Sequence, residues 1–272
     1  PEISFYTNDA YYIPASLLYK SFKTMSVLAS GAVVRQVLLS AGAEESQIMA
    51  KLQPIATDMH ALGNPWISYS VYLNNSFLPG LLQLMILLVT VFSIGSEMKR
   101  ATSREWLRTA DDSIIIAITG KLIPQTIIFF SMGLLYLSLL YGYLHFPMHN
   151  SIWHMIFAMF LLVVASQSFA VIIMCFAPSL RIGLSVGGLV GVLSLSIAGF
   201  SFPVPAMYLP FQAISYVLPV RHYFLIYVDQ ALNGMPLYYS RVHYVALILF
   251  AVASTPLLPR LKKALMRQVY VP

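Results

Sequence analysis

The chain has 272 residues, 58% of them hydrophobic and only 10% charged, whereas a soluble globular domain carries about a quarter charged residues. Several apolar runs reach the roughly 18–20 residues that cross a bilayer core, which excludes a pair of ordinary soluble domains. The net charge of +6 does not make a nucleic-acid face, because Lys and Arg collect at the ends of apolar runs, as they do on the cytoplasmic side of membrane proteins.

Residues 1–76 are the polar part. They begin Pro1-Glu2-Ile3, with neither initiator Met nor signal peptide, and are expected to continue a longer chain. Ile3 to Tyr6 alternate like a short strand, and Thr7-Asn8-Asp9 reads as a turn. Over 15–39 apolar positions recur at helical spacing, but Lys20, Lys23 and Arg35 interrupt them. This pattern predicts an amphipathic helix outside the membrane. A shorter helix is expected over 44–52, and Asn64-Pro65 breaks the chain before the bilayer.

Five runs then qualify as spans: about 77–95, 114–144, 152–177, 182–202 and 242–258. The segment 97–108 between the first two is the most charged of the protein. Placing it in the cytoplasm, with the loop at Pro178 and the C-terminus, collects Lys99, Arg100, Arg104, Arg108, Arg181, Arg260, Lys262, Lys263 and Arg267 on one side. The opposite loop, 145–151, carries no Lys or Arg, so the positive-inside rule puts the N-terminal segment outside. The stretch 211–228 is also apolar, but Pro219, Arg221 and His222 fall at its middle. A charge at the bilayer centre costs about 3 kcal/mol on insertion scales, so this stretch is expected to form a helical hairpin over 203–241 that dips into the outer leaflet.

Gly183, Gly187 and Gly191 repeat every four residues on the fourth run, a spacing that lets two helix backbones approach closely. The partner helix could belong to a second subunit or to the same chain. The match of Gly183-Leu-Ser185-Val-Gly187 to a nucleophile elbow lacks the strand-turn-helix that gives the pattern meaning. His145, His149 and His154 have no Cys, Asp or Glu in their loop and fit no common metal spacing. Cys175, the only cysteine, forms no intrachain disulfide. No catalytic, cofactor-binding or metal-binding residue is assigned to this chain.

No Asp or Glu falls inside any of the five runs, and Lys121 is expected to snorkel to the cytoplasmic surface. Ion-coupled carriers place carboxylates near the midplane. The chain also lacks a G-x-x-x-x-G-K-[ST] loop, so any energy for transport must come from a partner. The segment 97–112 reads equally as a solvated linker with an interfacial Trp106 or as a docking place for that partner. Glu97, Arg100, Arg104 and Glu105 would form a charged rim, with Trp106 or Leu107 as apolar anchor.

These residues resemble the membrane subunits of type-2 ATP-binding-cassette exporters, from about residue 64 to 234. Glu97, Arg100 and Thr102 match the family's cytoplasmic acidic-basic segment, in which Ala101 stands where the family has glycine. Gly120-Lys121-Leu-Ile-Pro124 matches its GK-x-x-P. Its outer hairpin is similar to Ala198-Gly-Phe200-Ser-Phe202-Pro203-Val, Pro219 and His222-Tyr223. The resemblance implies an all-α membrane protein, a polytopic helical bundle of five spans here and six in the full chain. A small α/β extracytoplasmic segment over 1–76, its beginning upstream, would precede a transmembrane permease domain over 77–272. It implies a second permease subunit, a separate cytoplasmic ATPase holding ATP and Mg, and a bacterial inner membrane. The expected activity is export of a hydrophobic or amphiphilic substrate. The alternative is an ion-coupled carrier or a membrane scaffold without transport.

Overall fold

The computed structural model of the protein describes residues 3–8, 12–42, 57–62 and 68–267. The chain divides into two compact units, residues 1–72 and 73–272.

In the first unit, β1 (Ile3–Asn8) pairs in parallel with β2 (Thr57–Leu62), from Ile3 opposite Thr57 to Asn8 opposite Leu62. Thr7 and Asn8 thus extend the strand instead of turning, because the ladder with β2 takes up their backbone. Parallel strands need a long crossover, and α1 (Tyr12–Ser40) lies in it. The Phe22 ring of α1 stacks on Phe5 of β1 at 4.1 Å between centroids.

The helix expected as amphipathic is not so. Leu17 and Leu28 are exposed on one side of α1 and Val37 on the opposite side, and Arg35 shares the Leu17 side at 100° per residue. The helix also meets the length and composition of a membrane span over Pro14–Ser40. The expected helix over 44–52 and the break at Asn64-Pro65 lie outside the described residues.

The second unit is a helical bundle. Its long helices are α2 (Tyr69–Lys99), which begins in the first unit, α4 (Ile114–Leu137), α5 (Ile152–Phe176), α6 (Leu180–Ile197) and α9 (Leu237–Val252). A π-helical turn, Ser138–Tyr143, prolongs α4. A 3-10 turn, Thr255–Leu257, joins α9 to α10 (Leu258–Arg267). With α1, six helical runs among the described residues are long and apolar enough to cross a membrane.

Helix α5 is apolar on every side and packs against α4, α6, α9 and α10. Met155, Met159, Leu162 and Met174 are fully buried, as expected of a helix surrounded by others. Serines set its start: Ser151 caps α5, as Ser113 caps α4, each satisfying an orphan backbone N–H.

Between α2 and α4 lies the short helix α3 (Ser103–Arg108). The stretch 211–228 is broken into α7 (Leu209–Tyr216) and α8 (Pro219–Tyr227), and neither is among the span-length helices. Pro219 at the first turn of α8 suits a helix start, where its missing N–H costs nothing. Arg221 and His222 therefore sit in a first turn, away from the middle of any long helix.

Candidate functional site

The charged segment is held in place from three sides. Glu97 lies in the last turn of α2, Thr102 precedes α3, and Lys121 projects from α4. Lys121 forms an ion pair with Glu97, donates to the Ser93 carbonyl at 2.9 Å, and lies 4.3 Å from the centre of the Trp106 ring. Thr102 donates its hydroxyl to the other Glu97 carboxylate oxygen. One ammonium group thus ties together α2, α3 and α4. The Lys121 ammonium, expected to snorkel, reaches a carboxylate, a carbonyl and an aromatic face of the charged segment and of α2. Glu97 in turn belongs to the α2 helix and is bonded within the chain to Lys121 and Thr102.

The apolar side of α3 also faces inward. Leu107 is fully buried among Leu87, Ile94, Ile114 and Met174, with Leu258, Leu261 and Leu265 of α10 in the same cluster. Trp106 is partly buried against this core. The expected anchors for a partner are thus spent on the chain's own interior. Arg100, Arg104, Glu105 and Arg108 remain exposed, so the outward surface of this segment is charged.

The fourth side is closed by α10. The Arg104 guanidinium donates to the Met266 carbonyl at 3.1 and 3.3 Å, and the Lys262 ammonium donates to the Asp112 carbonyl. Carbonyls in a helix's last turn lack intrahelical partners, so Arg104 caps α10 while α10 buries its leucines beside Leu107. The backbone around α3 turns sharply, with Ala101 at φ 60°, Asp111 at 52° and Asp112 at 56°. Asp tolerates this left-handed region better than Ala does.

The glycine stripe finds its partner in the same chain. A Cβ on Gly183 would come within 2.9 Å of Val91, and one on Gly191 within 3.2 Å of the Leu84 Cα. Gly187 has more room, with Val91 at 3.7 Å. Helix α2 reciprocates, since a Cβ on Gly95 would meet the Leu180 Cα at 3.0 Å. Gly183, Gly187 and Gly191 therefore form an antiparallel seam between α6 and α2, and that face is covered before any second subunit arrives.

At the far end of the bundle the outer-hairpin residues converge in part. Phe200 is fully buried, 5.5 Å from the Phe224 ring and 6.2 Å from Phe77. Pro219, His222 and Tyr223 are buried, whereas Phe202 is 51% exposed and Pro203 opens a 3-10 turn. The Arg221 guanidinium donates to the Ala198 carbonyl and the Ser215 hydroxyl and lies 4.7 Å from the Tyr216 ring. His222 pairs through Nδ1 with His243 at 3.3 Å and through Nε2 with the Tyr216 carbonyl.

Sequence reasoning missed Gln83. Its amide accepts from the Val220 N–H at 2.8 Å and donates to Ser194 at 3.2 Å, joining α2, α6 and the start of α8. A lone buried amide in an apolar run was the available signal. His149, one of the three histidines that fit no common metal spacing, engages the Ala231 carbonyl at 2.9 Å.

This is a polytopic helical membrane protein with one charged cross-helix clamp and a broken hairpin at the other end. The family described as ABC-2 family transporter protein matches residues 1–258, and the chain belongs to it. It is thus a membrane permease component of an ATP-binding-cassette transporter, from a family whose membrane subunits associate with an ABC ATPase. Comparison with curated proteins and with solved structures gave no match. The family sets aside the ion-coupled carrier and the scaffold.

Proposed function

We propose that the chain is the membrane half of an exporter, which moves a hydrophobic or amphiphilic substrate out of the cytoplasm. ATP and Mg act on separate ATPase subunits, and this chain hydrolyses nothing. A second permease subunit completes the pathway in a bacterial inner membrane. The segment 97–112 and the C-terminus face the cytoplasm, and residues 1–76 and the hairpin over 203–241 lie outside. The charges of Lys20, Lys23 and Arg35 along α1 favour that placement over a crossing.

The observation that carries this reading is the clamp of Glu97, Lys121 and Trp106. A push on α3 from an ATPase reaches α2 and α4 through Lys121 and reaches α10 through Arg104. The exposed Arg100, Arg104, Glu105 and Arg108 would contact the ATPase, with Glu97, Trp106 and Leu107 transmitting from behind. Co-purification tests the docking. Arg104→Glu with Glu105→Lys should release the ATPase from a permease that still inserts, and undiminished recruitment would remove this surface from the account.

A further inference from the structure

At the end of the bundle that carries α3, a cavity of about 500 Å³ opens between α2, α5 and α10. Met98, Cys175 and Phe176 make its apolar wall, and Arg260, Lys263 and Arg267 line the other side. The spacing of these three cations puts them on one face of α10, while Leu258, Leu261 and Leu265 occupy the opposite face in the core. Among the described residues no carboxylate lines the cavity, and no Asp or Glu follows Asp229 in the sequence.

Two other cations of the region are bonded within the fold. Lys262 is bonded to the Asp112 carbonyl and Arg104 to Met266. The three cavity cations are exposed, and Arg260 lies 4.6 Å from the Phe176 ring, which is itself 59% exposed. Helix α10 closes the span-length run Leu237–Arg267, so the cavity opens at the end of a helical run long enough to cross a bilayer.

We propose that this cavity binds the headgroup phosphate of an anionic phospholipid from the leaflet on the α3 side. Three cations meet the phosphate, and the exposed Phe176 and the partly buried Met98 receive the start of an acyl chain. Basic recesses between helices at the cytoplasmic surface suit this chemistry. A protein partner would need a broad, raised contact surface, whereas this site is a recess of headgroup size. A lipid held here touches α2 and α10, the helices that flank α3, so occupancy would stiffen the proposed coupling region. The binding claim itself rests only on membrane residence.

The test is native mass spectrometry of the protein in a neutral detergent, titrated with dioleoyl phosphatidylglycerol or phosphatidylcholine. Phosphatidylglycerol should bind wild type at least tenfold more tightly. Each surface cation contributes about fivefold, so R260Q/K263Q/R267Q should weaken that binding about a hundredfold. Arg241→Ala, at a residue stacked on Tyr238 outside the cavity, should leave it unchanged, and R260K/R267K should retain it. If the triple variant does not purify, Arg267→Gln alone should lower affinity about fivefold, and wild-type binding should weaken with salt. Equal binding by the charge-deleted variant, or salt-independent binding, would overturn the proposal. So would full competition by millimolar inorganic phosphate, which would mark a free-phosphate site. Unchanged lipid binding with loss of the ATPase would mark a protein-docking surface and overturn it equally.

Discussion

The ammonium of Lys121 lies 4.3 Å from the centre of the Trp106 ring, so the helix after the charged turn is attached to the bundle through a cation carried by α4. A cation over an indole contributes about 0.5–2 kcal/mol, depending on desolvation. Leu107, one residue on, is fully buried, and truncating a buried leucine to alanine costs about 2–5 kcal/mol. Leu107→Ala should therefore lower the thermal midpoint of the detergent-solubilised protein more than Trp106→Phe, which keeps a ring over Lys121. Equal midpoints would mean that Leu107 faces outward.

The seam between α2 and α6 makes a graded prediction. Gly187→Ala meets Val91 at ordinary contact distance and should be tolerated. Gly191→Ala forces Leu84 to move, and overpacking of this kind costs about 1–3 kcal/mol. Unfolding in detergent, followed by fluorescence, should separate the two variants. A Gly191→Ala protein of wild-type stability that loses only subunit association would return the stripe to an intersubunit role.

The general architecture was legible because hydrophobic length and charge asymmetry are properties of the sequence alone. The break before Pro219 was legible for the same reason, since Arg221 and His222 make a continuous span costly. The destination of Lys121 was not legible. Its partners Glu97 and Trp106 come from two other helices, and sequence spacing says nothing about which helices become neighbours. The glycine stripe was half legible: its spacing announces close approach, but the partner helix depends on the bundle's topology. Leu107 misled because an apolar residue amid charges reads equally well as an anchor or as core.

Ala101 offers a test by substitution toward the resemblance. Its φ of 60° is a conformation that costs an L-residue about 1–2 kcal/mol and costs glycine nothing comparable. Ala101→Gly should raise stability by about 1 kcal/mol, after the loss of unfolded-state restriction is subtracted. A destabilised variant would show that the turn is not left-handed in the folded protein.

Topology is tested by impermeant thiol labelling of intact cells in a Cys175→Ser background. Thr24, Arg108 and Asn233 are all exposed and serve as single cysteine positions. Thr24→Cys and Asn233→Cys should label from outside, and Arg108→Cys only after permeabilisation. A Thr24→Cys protein that resists labelling on both sides would put α1 across the bilayer, which its composition permits.

In the proposed coupling, Lys121 carries movement from α3 into the spans. The most direct measurement is ATP hydrolysis and substrate efflux, recorded together, in proteoliposomes containing the permease with its ATPase. Lys121→Gln removes the cation from Glu97 and Trp106 and leaves the exposed surface of α3 intact. The ATPase should remain bound and continue to hydrolyse ATP, while efflux per ATP falls at least tenfold. Wild-type efflux per ATP in Lys121→Gln would contradict the account, because the proposed link from α3 to α2 and α4 would then carry nothing.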